Sequence, residues 1–386
     1  MVNRRVERID YYARFRVLAF RKTQSAQKAS IMLSLIYISV IATLLATVLF
    51  IALIPMARRW GLVDKPVGRK QHKGEIPLIG GPVIWLVLVV GLLIFIPNPP
   101  WSGIMAATML VILGIVDDRQ PVPALIKLVF HIAAATIVVM GQNLAISNIG
   151  IFNETFRSPD FATLHSLIAV FAIVLAINAF NMIDGIDGLS ASMALLALTH
   201  ANLAFNLIHG AAPPDYAVFT VLFSGAIAGF LMFNLQIFNG RKVFLGDSGS
   251  MLIGLVVSNV IIGASQDIST IAEGPKIPAS LCLWLIAIPI TDVTIIMIRR
   301  LANGRSLMAP DRTHLHHKIM DIGVSARRTL LIFILSAVGA FWLGYGLTVQ
   351  FGEATSIIGF LTFMPTYYFS IQWACKKLSE LRVAEG

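Results

Sequence analysis

Residues 31–55 read IMLSLIYISVIATLLATVLFIALIP, a run without a single charged side chain. A helix needs about 20 such residues to cross the hydrocarbon core of a bilayer. The run is too long for the core of a signal peptide and begins only after thirty polar residues, so it reads as a retained span. Comparable stretches recur along the chain, which gives eleven expected helices at roughly 31–55, 81–97, 101–116, 124–140, 164–180, 188–208, 216–238, 249–265, 280–298, 329–349 and 354–373. Only 13% of the 386 residues are charged, against about 25% in an ordinary soluble domain. The expected fold class is therefore all-α, a polytopic membrane protein of about eleven helices. Residues 31–375 are expected to form a single integral membrane domain, between a basic tail over 1–30 and a cytoplasmic tail over 376–386. Cys282 and Cys375 lie in or beside different spans, so neither a disulfide framework nor a cysteine metal site is expected.

Lysine and arginine set the orientation. If the loops after the odd-numbered spans and the C-terminal tail share one side, that side holds 19 of the 30 basic residues. The opposite loops hold two, Arg157 and Lys276. The positive-inside rule makes the rich face cytoplasmic. The net charge of +10 is thus read as a topology signal, and no nucleic-acid partner is expected. The tail 1–30 conflicts with this count, because it carries eight basic residues and eleven spans place it outside. A natural start at Met32 would remove the conflict.

With this topology the polar motifs gather on the cytoplasmic face: GIVDDRQ with Asp117 and Asp118, NAFNMIDGIDGL with Asn178, Asn181, Asp184 and Asp187, KVFLGDSGS with Asp247, and PDRTHLHHK with Arg312, His314, His316 and His317. A carboxylate inside a spanning helix costs about 2.5–3.5 kcal/mol on insertion scales. At a helix end beside water most of that cost disappears, so position tolerates these residues without explaining why they cluster. Taken singly, the Asn/Asp/Gly run is a turn between two spans, and Gly225 and Gly229 form a helix-packing GxxxG pattern. Taken together, carboxylates and a neutral amide oxygen suit Mg²⁺ or Mn²⁺, with substrate phosphates completing the shell. Gly246 and Gly249 allow a ligand close to the backbone. Histidine and arginine bind phosphate oxygens. The combination points to phosphoryl transfer with a lipid substrate. A Zn²⁺ site on the three histidines lacks a fourth soft ligand. A carrier is the competing class, but the acids lie at one face and no internal repeat is visible.

These residues resemble the polyprenyl-phosphate N-acetylhexosamine-1-phosphate transferases of the glycosyltransferase 4 type, above all the undecaprenyl-phosphate N-acetylglucosamine branch. The likeness covers about 32–373 and six ordered motifs: GLVDKP (61–66), HKGEIPLIGG (72–81), DDR (117–119), NAFNMIDGIDGL (178–189), KVFLGDSGS (242–250) and PDRTHLHHKIM (310–320). The His-x-His-His form separates it from the peptidoglycan-precursor branch. The resemblance implies UDP-N-acetylglucosamine and undecaprenyl phosphate as substrates, UMP as product, and Mg²⁺, with Mn²⁺ as its substitute. It implies a bacterial cytoplasmic membrane, with the cleft facing the cytoplasm. It implies Asp247 and Asn181 as metal ligands, and Asp117 and Asp118 as the catalytic pair at the lipid acceptor. It implies Lys73, Lys127, Asn178, Asp184, Asp187, Arg312, His314, His316 and His317 as substrate-binding. Relatives often carry a third acid where this chain has Pro121. The sugar, the polymer pathway, direct or two-step transfer, and a monomer or homodimer stay open at this point.

Overall fold

The computed structural model describes residues 2–65, 74–150, 158–238, 240–266, 274–304 and 313–385. It is a helical bundle. In chain order its helices are α1 (Val2–Arg59), α2 (Gly80–Phe95), α3 (Trp101–Arg119), α4 (Ala124–Gly141), α5 (Ala162–Ile183), α6 (Leu189–His209), α7 (Pro214–Asn234), α8 (Gly246–Ser265), α9 (Ala279–Leu285), α10 (Ala287–Ala302), α11 (Leu315–Asp321) and α12 (Ala326–Glu385). Eight described helices are long and apolar enough to cross a membrane, and the bent pair α9–α10 makes nine.

Every expected span is helical, but three differ from simple crossings. α2 has 16 residues, about 24 Å at 1.5 Å per residue, and falls short of a 30 Å core. The stretch 280–298, expected as one helix, turns by 82° between α9 and α10. Pro289 explains the break: it has no N–H for the Leu285 carbonyl, and its ring crowds that turn. The last two expected spans form one element, α12, interrupted where Gly352 takes φ 85° and ψ 171°.

α8 is the centre of the bundle. Its sequence is apolar or small on all sides, and every residue from Ser248 to Ala264 is buried, as an all-round apolar helix requires. The Ser258 hydroxyl inside it donates to the Gly254 carbonyl at 2.7 Å, so no polar hydrogen is stranded. Between membrane helices close packing replaces the hydrophobic drive, and small residues permit it. A Cβ on Gly114 of α3 would overlap the Ser248 backbone of α8. The Gly225–Gly229 pair of α7 lies against Ser39, Ala42 and Ala46 of α1, with Phe50 and Phe233 sealing the same seam, ring centroids 5.1 Å apart.

One small backbone assembly positions the start of α8. Strands β1 (Val63–Asp64) and β2 (Ile76–Pro77) pair antiparallel, Val63 opposite Pro77 and Asp64 opposite Ile76. Phe244 N–H then donates to the Pro77 carbonyl at 2.9 Å, and Gly80 N–H to the Phe244 carbonyl at 3.0 Å. Two neighbouring motifs and a third far along the sequence are stitched together just ahead of Asp247.

Candidate active site

The ends of α3, α5 and α7 and the starts of α4 and α8 enclose a cavity of about 760 Å³ at one end of the bundle. Its walls carry six aspartates, Asp64, Asp117, Asp118, Asp184, Asp187 and Asp247, against two cations, Arg119 and Lys127.

Asp117 and Asp118 are neighbours with different surroundings. A carboxylate in the last turn of a helix opposes the helix dipole, so Asp117 needs compensation. It accepts the Val122 N–H at 2.6 Å and pairs with Lys127 Nζ at 2.8 Å. Pro121 and Pro123 flank and deliver that Val122 amide. Asp118 instead reaches the N-terminus of α8. It accepts the N–H of Asp247 at 2.8 Å, that of Ser248 at 3.4 Å and the Ser248 hydroxyl at 3.0 Å, the favourable end for a negative charge. Gly246 takes φ +70°, and a Cβ there would overlap the Asp118 carboxylate. That close approach of backbone to carboxylate requires glycine.

Asp247, half-buried, faces Lys127 Nζ at 3.2 Å. Lys127 therefore bridges Asp117 and Asp247. Asn181 donates its amide to Asp247 Oδ1 at 3.2 Å and to Ser250 Oγ at 2.9 Å, and neither bond uses its carbonyl oxygen. Asp187 pairs with Lys242 at 2.7 Å, whose ammonium also lies 4.9 Å from the Phe244 ring centre. Asp184 follows the last turn of α5. Burial, and then the charges of Asp247, Asp118 and Asp187, push its carboxyl well above the usual carboxylate range.

The histidine segment reaches the wall of this cavity from behind, through Gly185. His316 packs on Gly185, where a Cβ would overlap its Nε2, and Gly185 is a cavity wall. Burial, with His317 and His314 nearby, lowers His316 to about 3, so its ring is neutral. The His316 and His317 ring centres lie 4.2 Å apart. His314 sets Nδ1 2.7 Å from Asp292 of α10, with its ring stacked at 18° to that of His316.

Thus Asp117, Asp118, Asn181, Asp184, Asp187, Asp247 and Lys127 come together, with His316 behind Gly185. Asn178 is turned inward: its amide donates to the Val174 carbonyl at 2.7 Å and lies 3.4 Å from His131 Nδ1. Lys73 and Arg312 lie outside the described residues. Sequence reasoning passed over Asp64, Lys242 and Asp292. The first two sit inside motifs already quoted, and a lone acid in the apolar run ITDVTII was a signal in its own right.

The donor set fits Mg²⁺ or Mn²⁺. All the nearby ligand atoms are hard oxygens. Among the described residues no three acidic, histidine or cysteine side chains converge as a ready-made metal cage. That suits an ion held by one or two carboxylates and completed by water and substrate phosphates. Added positive charge also favours a diphosphate beside these acids.

Residues 100–265 match the family described as Glycosyl transferase family 4. A Salmonella typhi protein named undecaprenyl-phosphate alpha-N-acetylglucosaminyl 1-phosphate transferase is 34% identical, over 87% of this chain and 91% of its own length. Proteins of the same name from Haemophilus influenzae and Escherichia coli K12 are 33% and 32% identical, over 87% and 73% of this chain and 94% and 75% of their own lengths.

Proposed function

The chain belongs to glycosyl transferase family 4, and we propose that it transfers N-acetylglucosamine 1-phosphate from UDP-N-acetylglucosamine to undecaprenyl phosphate. The observation that carries this reading is the acid-walled cavity with Lys127 between Asp117 and Asp247, in a chain that resembles transferases of that name along most of its length.

A phosphate oxygen of the lipid attacks the phosphorus bonded to the sugar. A new P–O–P bridge forms, the old bridge breaks, and its oxygen leaves with UMP. Asp247 and the Asn181 carbonyl oxygen would hold Mg²⁺, which supplies charge neutralisation for the diphosphate and the departing UMP. Lys127, held between Asp117 and Asp247, is the cation that would meet the phosphates. Asp118 holds the start of α8 and so aims Asp247. Direct attack is favoured over a covalent aspartyl intermediate, because Asp118 already accepts three hydrogen bonds and Asp117 is tied to Lys127 and Val122. Carboxylates so engaged are poor nucleophiles.

The charge distribution supports placing this end of the bundle in the cytoplasm of a bacterial inner membrane. The product would begin a cell-surface glycan. The test supplies purified protein with undecaprenyl phosphate, Mg²⁺ and a panel of UDP-N-acetylhexosamines, and measures UMP and lipid product. Release with N-acetylglucosamine is the expected result. Release with a different sugar alone corrects the donor, and no UMP with any sugar overturns the reading.

A further inference from the structure

Asp292 is a charged side chain on α10 with 1% exposure, inside an apolar run. A carboxylate so placed is expensive unless it is fully paired. Both of its oxygens are used on the histidine segment: Oδ2 meets His314 Nδ1 at 2.7 Å, and Oδ1 accepts the Leu315 N–H at 3.1 Å. Two turns along the same helix, Arg299 donates to the Tyr368 hydroxyl at 3.0 Å, which donates to the Thr313 carbonyl at 3.2 Å. Residues seven apart share a helix face. α10 therefore grips Thr313, His314 and Leu315 from one side.

An ionised carboxylate only accepts hydrogen bonds, so the shared proton belongs to His314 Nδ1. Nε2 has no hydrogen-bond partner among the described residues. The next histidine, His316, rests on Gly185 of the cavity wall, with its ring centre 5.7 Å from that of His314. We infer that Asp292 is the positioning residue of the histidine segment: it fixes the His314 ring and tautomer so that Nε2 is the atom offered to the substrate diphosphate. Nε2 accepts a proton when the ring is neutral and donates to phosphate when it is charged. This inference rests on the transferase reading for what His314 touches, though not for the tautomer itself.

The test is a double-mutant cycle with Asp292→Asn, His314→Ala and the pair. Asp292→Asn should lower kcat by about 10–100-fold, by analogy with the loss when the carboxylate behind a metal-bound histidine is removed, with KM for undecaprenyl phosphate little changed. In the His314→Ala background the same change should cost nothing further, because Asp292 acts through His314. Equal losses in both backgrounds would make Asp292 merely structural and overturn the inference. Side-chain ¹⁵N spectra of histidine-labelled wild-type protein give a readout that needs no turnover. A proton on His314 Nδ1 supports the inference, and a bare Nδ1 overturns it even if Asp292→Asn does not fold. If wild type releases no UMP while Nδ1 carries the proton, the transferase reading fails and the tautomer assignment stands.

Discussion

Asp118 accepts the backbone N–H of Asp247 at 2.8 Å across 129 residues of sequence. The first acid thus caps the helix that presents the second. Substitution should separate the two roles. Asp118→Asn keeps the shape but replaces one acceptor oxygen at the start of α8 with an NH₂ donor, and should cost about 1 kcal/mol of stability as well as most of the turnover. Asp247→Asn should leave a folded, monodisperse protein in detergent and cut UMP release by about 10²-fold or more. Thermal unfolding and UMP assays of both variants make the comparison. Asp247→Asn at wild-type rates would remove the metal assignment, and unchanged unfolding of Asp118→Asn would remove the capping role.

Gly185 is where the histidine segment meets the aspartate turn. Its φ is not positive, so alanine is sterically rather than conformationally excluded. Gly185→Ala should push His316 away and cost about 1–3 kcal/mol, as overpacking does, with a parallel drop in kcat/KM. Removing the obstructing ring in Gly185→Ala/His316→Ala should make the added methyl much less costly than in wild type. If the Gly185→Ala cost is the same with and without the His316 ring, the contact does not set the fit.

The spans were legible because an apolar run of bilayer length has few alternatives, and the aspartates because acids in so greasy a chain demand a reason. What escaped was pairing at a distance. Nothing local announces that Asp292 meets His314 or that Lys242 meets Asp187, since both depend on how the helices pack. Asn178 shows the converse. It sits three residues before Asn181 in the same motif, yet its helical position turns the amide back onto Val174. The bend at Ile286 could be read only by giving Pro289 more weight than the apolar run around it.

His316 makes stability depend on pH. Its ring titrates at about 3 in the folded protein, against about 6.5 unfolded. The unfolded chain takes up the proton first as pH falls. The stability from keeping this ring neutral is therefore fully present above about 6.5 and is lost progressively toward 3, by up to about 1.4 kcal/mol per pH unit. His316→Phe replaces two buried nitrogens that lack hydrogen-bond partners among the described residues. It should flatten the fall in unfolding temperature between pH 6.5 and 4. An unchanged slope would place the ring in water rather than in the protein.

Asp184 has the opposite sign, and it offers a test of the proposed metal. Its folded carboxyl is raised above 3.8 by burial and by Asp247, Asp118 and Asp187. The contribution it makes is favourable below the unfolded value and is lost as pH rises through the folded one. In metal-free protein Asp184→Asn should therefore gain stability over wild type as pH increases, and the gain should level off above the folded value. A divalent cation among these acids relieves the same repulsion. Mg²⁺ should accordingly raise the wild-type unfolding temperature and EDTA reverse it, with about 1.4 kcal/mol of stabilisation at a tenfold excess over Kd. Above the folded value of Asp184, Asp184→Asn should respond less to Mg²⁺, because part of the charge the ion neutralises is already gone, and Asp247→Asn should respond least. Differential scanning fluorimetry across pH and Mg²⁺ concentration measures all three proteins. Equal Mg²⁺ responses in the three would mean that the ion binds elsewhere.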